Sequence, residues 1–396
     1  MDAVILRVFS QGANASMKTD TCYCHNRRCR VYGKAGISSR LVFRDWHNGA
    51  PRLQCTLCDH LVSARADTAY AGIRTEEATY QSGAQHLAEG TSIRATAGLL
   101  DLDKDTVCHW LPRLGKHCKR MLSYFFRNLH LSECQLDELW TFILKKEDQL
   151  TPLDKLQGIY GDAWVWIAFS PVNKQVPAWV VGKRTLPNAR KLVFRLKLAS
   201  DGQIPFFTSD EPPHYADALL DVYGVLETPP RQGKRGRPPL PRKCPPPDLC
   251  YAVMVKEREH GRVVSVTTRI VYGTKQQISA ALKTSPVSKT INTYGVERNN
   301  LTIRQYSRRM GRKVNAFSKE RTYLEYQLTL AFAYYHFVRP HRGLRQRLPK
   351  PMPTKGPRAS CKKWKPVTPA MAAGLTDHVW SMDELLSFRV PPKQNW

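Results

Sequence analysis

The chain has 396 residues and carries 61 Lys and Arg against 33 Asp and Glu, a formal charge of +28. At roughly 150 residues per domain this length suggests two or three domains, and a hydrophobic content of 42% is that of a globular chain, which argues against wholesale disorder. The longest apolar stretches, Trp164 to Phe169 and Leu328 to Tyr335, fall far short of the roughly 20 residues a membrane span needs.

So large a positive excess costs self-repulsion, and the usual reason to carry it is a polyanionic partner. Nucleic acid is the first candidate. An anionic membrane surface would call for a long basic amphipathic helix, which the sequence lacks. Residues 1 to 21 read as an uninformative extension, with Met17 a candidate start and no secretory leader. The expected compartment is the cytoplasm. Eleven cysteines are too few for a disulfide scaffold and odd in number. In a reducing compartment clustered cysteines more often hold metal than pair.

The first cluster lies within residues 22 to 75. Cys24-x4-Cys29 is followed after 25 residues by Cys55-x2-Cys58. Two close thiol pairs on tight turns are what a tetrahedral structural zinc requires. Cys22, His25, His47 and His60 are rival ligands, and four ordinary buried cysteines are the competing reading.

Residues 76 to 126 read as helices: Glu76 to Glu89, ended by Gly90, then Ser92 to Leu100, then a third capped by Asp103 or Asp105. Pro112 should kink or end the third helix. Thr91 to Trp110 has the rhythm of a helix-turn-helix, with Ile93, Ala97 and Leu102 in the angle and Val107 and Trp110 anchoring the second helix. Lys104, Thr106, Cys108 and His109 would then lie toward the major groove. An ordinary helical hairpin is the competing reading.

From about residue 133 the texture becomes that of a mixed sheet with helices on its faces. Leu136–Ile143, Trp164–Phe169, Val176–Val181 and Phe206–Thr208 read as strands, and 187–198 and 213–222 as helices. Eight of the 27 prolines fall between Pro229 and Pro247 among basic residues, which marks a linker or surface insertion. A hairpin follows over Tyr251–Lys256 and Arg262–Tyr272, then helices over Val296–Arg312 and Arg321–Phe337. Residues 339 to 365 hold ten Lys or Arg and no acid, and read as an irregular basic arm.

Three acids sit at element edges. Asp137 alternates with apolar neighbours in its strand. Asp210 closes the fourth strand, where open sheets present ligand groups. Glu297 opens a helix and shares a face with Asn300, Leu301, Arg304 and Arg308. Together they suggest a negative pocket in a positive surface. Carboxylate oxygens suit Mg²⁺ or Mn²⁺, and two ions about 4 Å apart activate a nucleophile and stabilise the leaving oxygen of a phosphodiester. Taken singly, each acid has an ordinary reading as a surface strand residue, a helix cap or a first-turn acid. Glu138, Asp162, Glu211, Asp217 and Asp221 compete for the same role.

The wording of these segments resembles the transposases of the insertion sequence one family, a branch of the DDE transposases. The matching pieces are Gln-Leu-Asp137-Glu-Leu-Trp-Thr-Phe, Thr-Ser-Asp210, Gly-Val-Glu297-Arg-Asn-Asn-Leu-Thr-Ile-Arg304, Arg309, the run Arg312 to Lys319, Tyr334 to Arg345, and Val367 to Trp380. The likeness runs from about Cys22 to Leu386. It implies an α/β fold in which an RNase H-like mixed-sheet core (133–338, with a Pro-rich basic insertion at about 228–290) follows a zinc ribbon (22–75) and a helix-turn-helix (76–126). A basic arm and tail (339–396) would end the chain. It further implies catalysis by Asp137, Asp210 and Glu297 on two Mg²⁺ or Mn²⁺ ions, zinc on Cys24, Cys29, Cys55 and Cys58, and DNA as partner. Cleavage would free a 3′-hydroxyl that then attacks target DNA, in a homo-oligomer, with no membrane and no small-molecule substrate. Arg304, Arg308, Arg309, Arg312 and Lys313 would grip phosphates. His336 stands where the family pattern expects Asn, and Glu211 where it expects Gly. Lys234 to Pro239 resembles an AT-hook, against the plainer reading of a solvated linker. The alternative for the whole chain is a non-catalytic, sequence-specific DNA-binding regulator that retains the fold.

Overall fold

The structure is a computed structural model that describes residues 19–211, 214–229, 239–312, 314–353 and 361–392. The chain divides into two compact units, 19–80 with 386–392, and 81–385. No helix among the described residues is long and apolar enough to cross a membrane.

The first unit is built on a three-stranded antiparallel sheet of β1 (Leu41–His47), β2 (Ala50–Cys55) and β3 (Leu61–Ser63), in the order β1-β2-β3. Its apolar interior is small: Cys22, Leu53 and Ala64 form one cluster, and Cys24, Val31 and Cys55 another. The C-terminal stretch supplements it. The Ala69 amide donates to the Leu386 carbonyl at 2.8 Å. The Arg389 guanidinium is buried and donates to the Ala64 and Ala66 carbonyls and to the Thr21 hydroxyl.

The second unit begins within α1 (Glu77–Ala88), followed by α2 (Ile93–Leu99) and α3 (Lys104–Phe125). Ser92 caps α2 and Asp103 caps α3 with side-chain acceptors. Ala97, Val107 and Trp110 are buried in the α2–α3 angle. Pro112 neither ends nor divides α3, contrary to the sequence expectation. Val107, Leu111, Leu114, Cys118 and Met121 are fully buried along one face, and that packing outweighs the one hydrogen bond a mid-helix proline removes. Nor do these helices form a domain apart from the core. Gly115 lets α3 lie against a later helix, since a Cβ there would stand 2.6 Å from that of Tyr326.

The sheet of the second unit has six strands: β4 (Glu133–Ile143), β5 (Gly161–Ser170), β6 (Gln175–Gly182), β7 (Phe206–Asp210), and two more from further along. A short helix α4 (Pro152–Gln157) joins β4 to β5, α5 (Leu186–Ala199) crosses from β6 to β7, and α6 (Tyr215–Tyr223) follows β7. A small β8 (Val225–Glu227) and β9 (Arg242–Cys244) ribbon flanks the proline-rich segment. Then come β10 (Tyr251–Glu259), β11 (Arg262–Tyr272), α7 (Lys275–Thr284), α8 (Tyr294–Tyr306) and α9 (Arg321–Phe337). The strand order is β11-β10-β7-β4-β5-β6. β4, β5 and β6 form an antiparallel meander, β7 lies parallel to β4, β10 parallel to β7, and β11 antiparallel to β10.

Two sequence expectations change here. The insertion expected over 228–290 is shorter, because Tyr251–Met254 is a buried run that pairs with β7 inside the sheet. The basic arm is not irregular: β12 (Gln346–Pro353) and β13 (Cys361–Lys365) pair as an antiparallel ribbon, with Arg345 stacked 4.2 Å over the Trp364 ring. Charge repulsion along the arm is relieved by extending it and spacing its cations.

Two buried histidines tie this unit together. The His117 ring lies 2.9 Å from the Leu385 carbonyl through Nε2. His336 accepts the Val176 N–H of edge strand β6 at Nε2 (3.0 Å), while its Nδ1 lies 2.6 Å from the Phe332 carbonyl. This is a neutral tautomer with both nitrogens satisfied, and it does the structural work an Asn could share. Burial pushes both imidazoles down to about 4. Unfolded histidine titrates near 6.5, so between about pH 6.5 and about pH 4 the unfolded chain binds more protons. Stability therefore falls as pH drops through that window, by up to about 1.4 kcal/mol per pH unit for each histidine. Urea midpoints measured from about pH 7 to about pH 4.5 should decline, and less steeply in His336→Gln. An identical decline in that variant would contradict this origin.

Candidate functional site

The four cysteines meet in the first unit. Their sulfurs all lie within 4.8 Å of one another, with Cys24 to Cys58 at 3.6 Å and Cys29 to Cys55 at 3.8 Å. A tetrahedron with Zn–S bonds of about 2.3 Å has edges of about 3.8 Å, so the donor set fits a structural metal such as zinc. Each pair sits on a backbone turn, Cys29 N–H to Asn26 carbonyl and Asp59 N–H to Cys55 carbonyl, both 2.9 Å. Burial pushes the Cys24 thiol up to about 12, whereas the His60 N–H and the Asn26 side chain hold Cys58 down at about 7. Two rivals are engaged elsewhere: Cys22 packs with Leu53 and Ala64, and His25 lies 3.1 Å from Asp67.

In the second unit the three acids converge through the sheet. In the parallel β4–β7 ladder Leu136 faces Ser209, so Asp137 and Asp210 follow side by side. α8 is pinned to these strands. Gln135 donates to the Asn292 carbonyl (3.0 Å) and accepts the Val296 N–H (2.8 Å), and the Thr208 hydroxyl donates to the same carbonyl at 3.2 Å. Gln135 and Thr208 each stand two residues before an aspartate, hence on the same sheet face as it. Gly295 makes the approach possible, because a Cβ there would lie 2.7 Å from Gln135 Oε1 and 3.0 Å from Phe169.

Helical spacing then delivers the polar groups. The Asn300 amide donates to Asp137 Oδ2 at 2.5 Å. The Thr293 hydroxyl lies 3.1 Å from both Asp210 Oδ1 and Glu297 Oε1. Between those two acids stands Lys256 of β10, its Nζ 2.9 Å from Asp210 Oδ2 and 2.7 Å from Glu297 Oε1. Burial pushes the Asp137 carboxyl up to about 7, and the nearby Glu138 and Asp210 carboxylates add to the rise. The Asn300 side-chain oxygen is buried without a hydrogen-bond partner among the described residues. Apart from the cysteines, no group of three or more His, Cys, Asp or Glu side chains among the described residues is gathered closely enough to hold an ion.

Four competing acids are diverted. Glu138 points to the other face, where it pairs with Arg184 (2.6 Å) and accepts from Tyr215. Glu211 pairs with Arg269, Asp221 with Arg190, and Asp162 accepts the Glu147 N–H. The sequence reading missed Lys256, Thr293, Gln135 and Thr208. Thr293 carried a signal, standing one helical turn before Glu297, and so did Gln135, two residues before Asp137. Lys256 carried none.

The expected nucleic-acid contacts separate into two kinds. Lys104, His109, Arg308 and Arg312 are exposed, and Thr106 is half-buried. Arg304 and Arg309 are half-buried and occupied within the protein, Arg304 with the Met310 carbonyl (2.6 Å) and Arg309 with Ser318 (3.3 Å). They brace the turn after α8. Lys313, and Lys234, Arg235 and Arg237 of the hook-like segment, lie outside the described residues. A groove of about 640 Å³ is lined by Arg94, Lys104, Arg308, Arg309 and Lys319 together with Asp105 and Glu320, so α2, the start of α3 and the turn after α8 share one mainly basic cleft.

A scan against models of known protein families and a search of curated proteins find no match to this chain.

Two outcomes follow from this geometry. Purified protein should carry about one zinc per chain, and Cys55→Ser should lose it and destabilise the first unit by at least about 3 kcal/mol, since tetrahedral zinc supplies roughly 10 kcal/mol or more in small fingers. Metal analysis with limited proteolysis reads both, and unchanged metal content would refute the assignment. Gln135→Leu strands the buried Val296 N–H and should cost about 1–3 kcal/mol by urea unfolding. A cost near zero would show that α8 is held by other contacts.

Proposed function

We propose that this chain is a DDE-type DNA transposase with an RNase H-like core. The observation that carries the reading is the convergence of Asp137, Asp210 and Glu297, from two parallel neighbouring strands and one pinned helix, in a chain with a formal charge of +28. The sheet order supports it too: an antiparallel meander extended on its first strand by parallel β7 and β10 is the arrangement such a core requires. The basic cleft supports a DNA partner, because a phosphate backbone is drawn to clustered cations whatever its sequence.

The donor types suit Mg²⁺ or Mn²⁺, which take carboxylate and amide oxygens, but the three acids would have to draw closer than they stand here to share an ion. Asp137, Asp210 and Glu297 would hold the ions, with the orphaned Asn300 oxygen beside Asp137 as a further oxygen donor. When bound, two such ions supply the charge that activates a water or a 3′-hydroxyl and stabilises the departing oxygen of a phosphodiester. The protein's own part is positional. Gln135 and Thr208 fix the start of α8, Thr293 orients Asp210 and Glu297, and Arg304 braces the turn that presents Arg308. The zinc unit and the helix-turn-helix would select element ends, and two ends acting together would need at least two copies.

A second reading has one observation in its favour. Lys256 already occupies the space between Asp210 and Glu297 and offsets one of their two charges, as a regulator that binds DNA without cutting it would tolerate.

The test incubates the protein with Mg²⁺, a target plasmid and a labelled duplex of the DNA flanking its own coding sequence. Wild type should cleave and join. Asp137→Ala, Asp210→Ala and Glu297→Ala should bind the duplex equally and lose about 100-fold or more of product. Binding without chemistry in wild type would establish the regulator instead.

A further inference from the structure

We propose that Lys256 is an internal counter-ion of the acid pair, a side chain that holds Asp210 and Glu297 together before any metal arrives and must swing out for a divalent cation to enter. The inference rests on the metal-dependent reading above and adds a residue which that reading does not use.

The geometry is that of a stand-in cation. Lys256 Nζ lies 2.9 Å from Asp210 Oδ2 and 2.7 Å from Glu297 Oε1. The Thr293 hydroxyl lies 3.1 Å from the other Asp210 oxygen and from the same Glu297 oxygen, and it has one proton to give. Two carboxylates this close repel unless a positive charge lies between them. The ammonium supplies one such charge, and the Asp137 carboxyl lies near enough to Asp210 to feel it. A divalent ion at the same place supplies twice the charge and accepts more oxygens.

Lys256 is also built to leave. It projects from β10, where its backbone stays paired with Val266, so the side chain can rotate without unpairing the strand. Its four-carbon stem is flexible and its head is a point charge, not a fixed fork. The Asp210 and Glu297 side chains are 43% and 44% exposed, which leaves them within reach of a hydrated cation. Met254, two residues earlier on the same strand face, stands opposite Asp210 in the parallel ladder, which aims Lys256 past the strand end toward Glu297. The arrangement keeps the acid pair closed in the metal-free protein and makes metal entry a competition.

The experiment measures Mn²⁺ binding by electron paramagnetic resonance on the zinc-loaded full chain, with Asp210→Asn as the blank. Lys256→Met keeps the stem and removes the charge. It should bind Mn²⁺ about tenfold or more tightly than wild type, as expected when a competing charge near two carboxylates is lost. Without added divalent cation its melting temperature should fall below that of wild type, and added Mn²⁺ should restore it. Lys256→Gln gives the same measurement if the Met variant does not fold. Binding in the variant alone would be the strongest form of support. Equal or weaker Mn²⁺ binding by the variant, with wild type binding normally, would overturn the counter-ion and leave the proposed function standing. If DNA affinity without added divalent cation drops instead, while Mn²⁺ affinity is unchanged, Lys256 is a phosphate contact and the proposal fails. Absence of Asp210-dependent Mn²⁺ binding in both proteins would overturn the counter-ion and the metal-dependent reading together.

Discussion

The second unit turns on a single carbonyl. Asn292 O accepts from Gln135 on one strand and from Thr208 on its parallel neighbour, and Gln135 also takes the Val296 N–H. A buried amide carbonyl with two donors is expensive to move, because each released partner would be left unsatisfied in a dry environment. Since strand side chains alternate with period two, the residues that pin the helix and the aspartates that follow them share one face by construction. The position of Glu297 is then not adjustable: it comes one residue after Val296, on the first turn of a helix whose start is fixed. A side chain at Gly295 would wedge that contact open.

Electrostatics selects among the acids by giving most of them other work. Arg184, Arg269 and Arg190 take Glu138, Glu211 and Asp221. What is left beside α8 is a trio with one lysine between two of its members. Asp137 is the buried member of the trio, and desolvation first, then the neighbouring Glu138 and Asp210 carboxylates, pushes its carboxyl up. With one lysine against three carboxylates, the cluster keeps a net negative charge, which is the charge the proposed divalent cation would offset. The same chain spends cations freely elsewhere, as in the exposed Lys104, Arg308 and Arg312.

The first unit solves a different problem. Among its described residues, the two apolar clusters around the cysteines hold three buried residues each, little core for a unit of this size. The four sulfurs and the C-terminal stretch supply what the core lacks, the sulfurs as a ligand tetrahedron and Arg389 as a buried donor to carbonyls on both sides of Arg65. This is why residues far apart in sequence belong to one compact body.

Sequence periodicity and spacing alone determined most elements to within a few residues, α9 at Arg321–Phe337 among them, and the cysteine spacing identified the ligand set. Together with a family resemblance, they singled out the three acids, two on strands and one at the start of a helix. These are local properties, written in periods of two and 3.6 residues. Tertiary structure decided the rest: that α3 runs through Pro112, that Tyr251–Met254 completes the sheet, that residues 386–392 join the cysteine unit, and that Arg304 and Arg309 brace a turn before they can touch DNA. Above all it decided which charge meets which. Lys256 reaches Asp210 across 46 residues and Glu297 across 41. No local pattern encodes that meeting, because it is set by the path of the chain between strands, and ion pairs are made by whatever that path brings within a few ångströms.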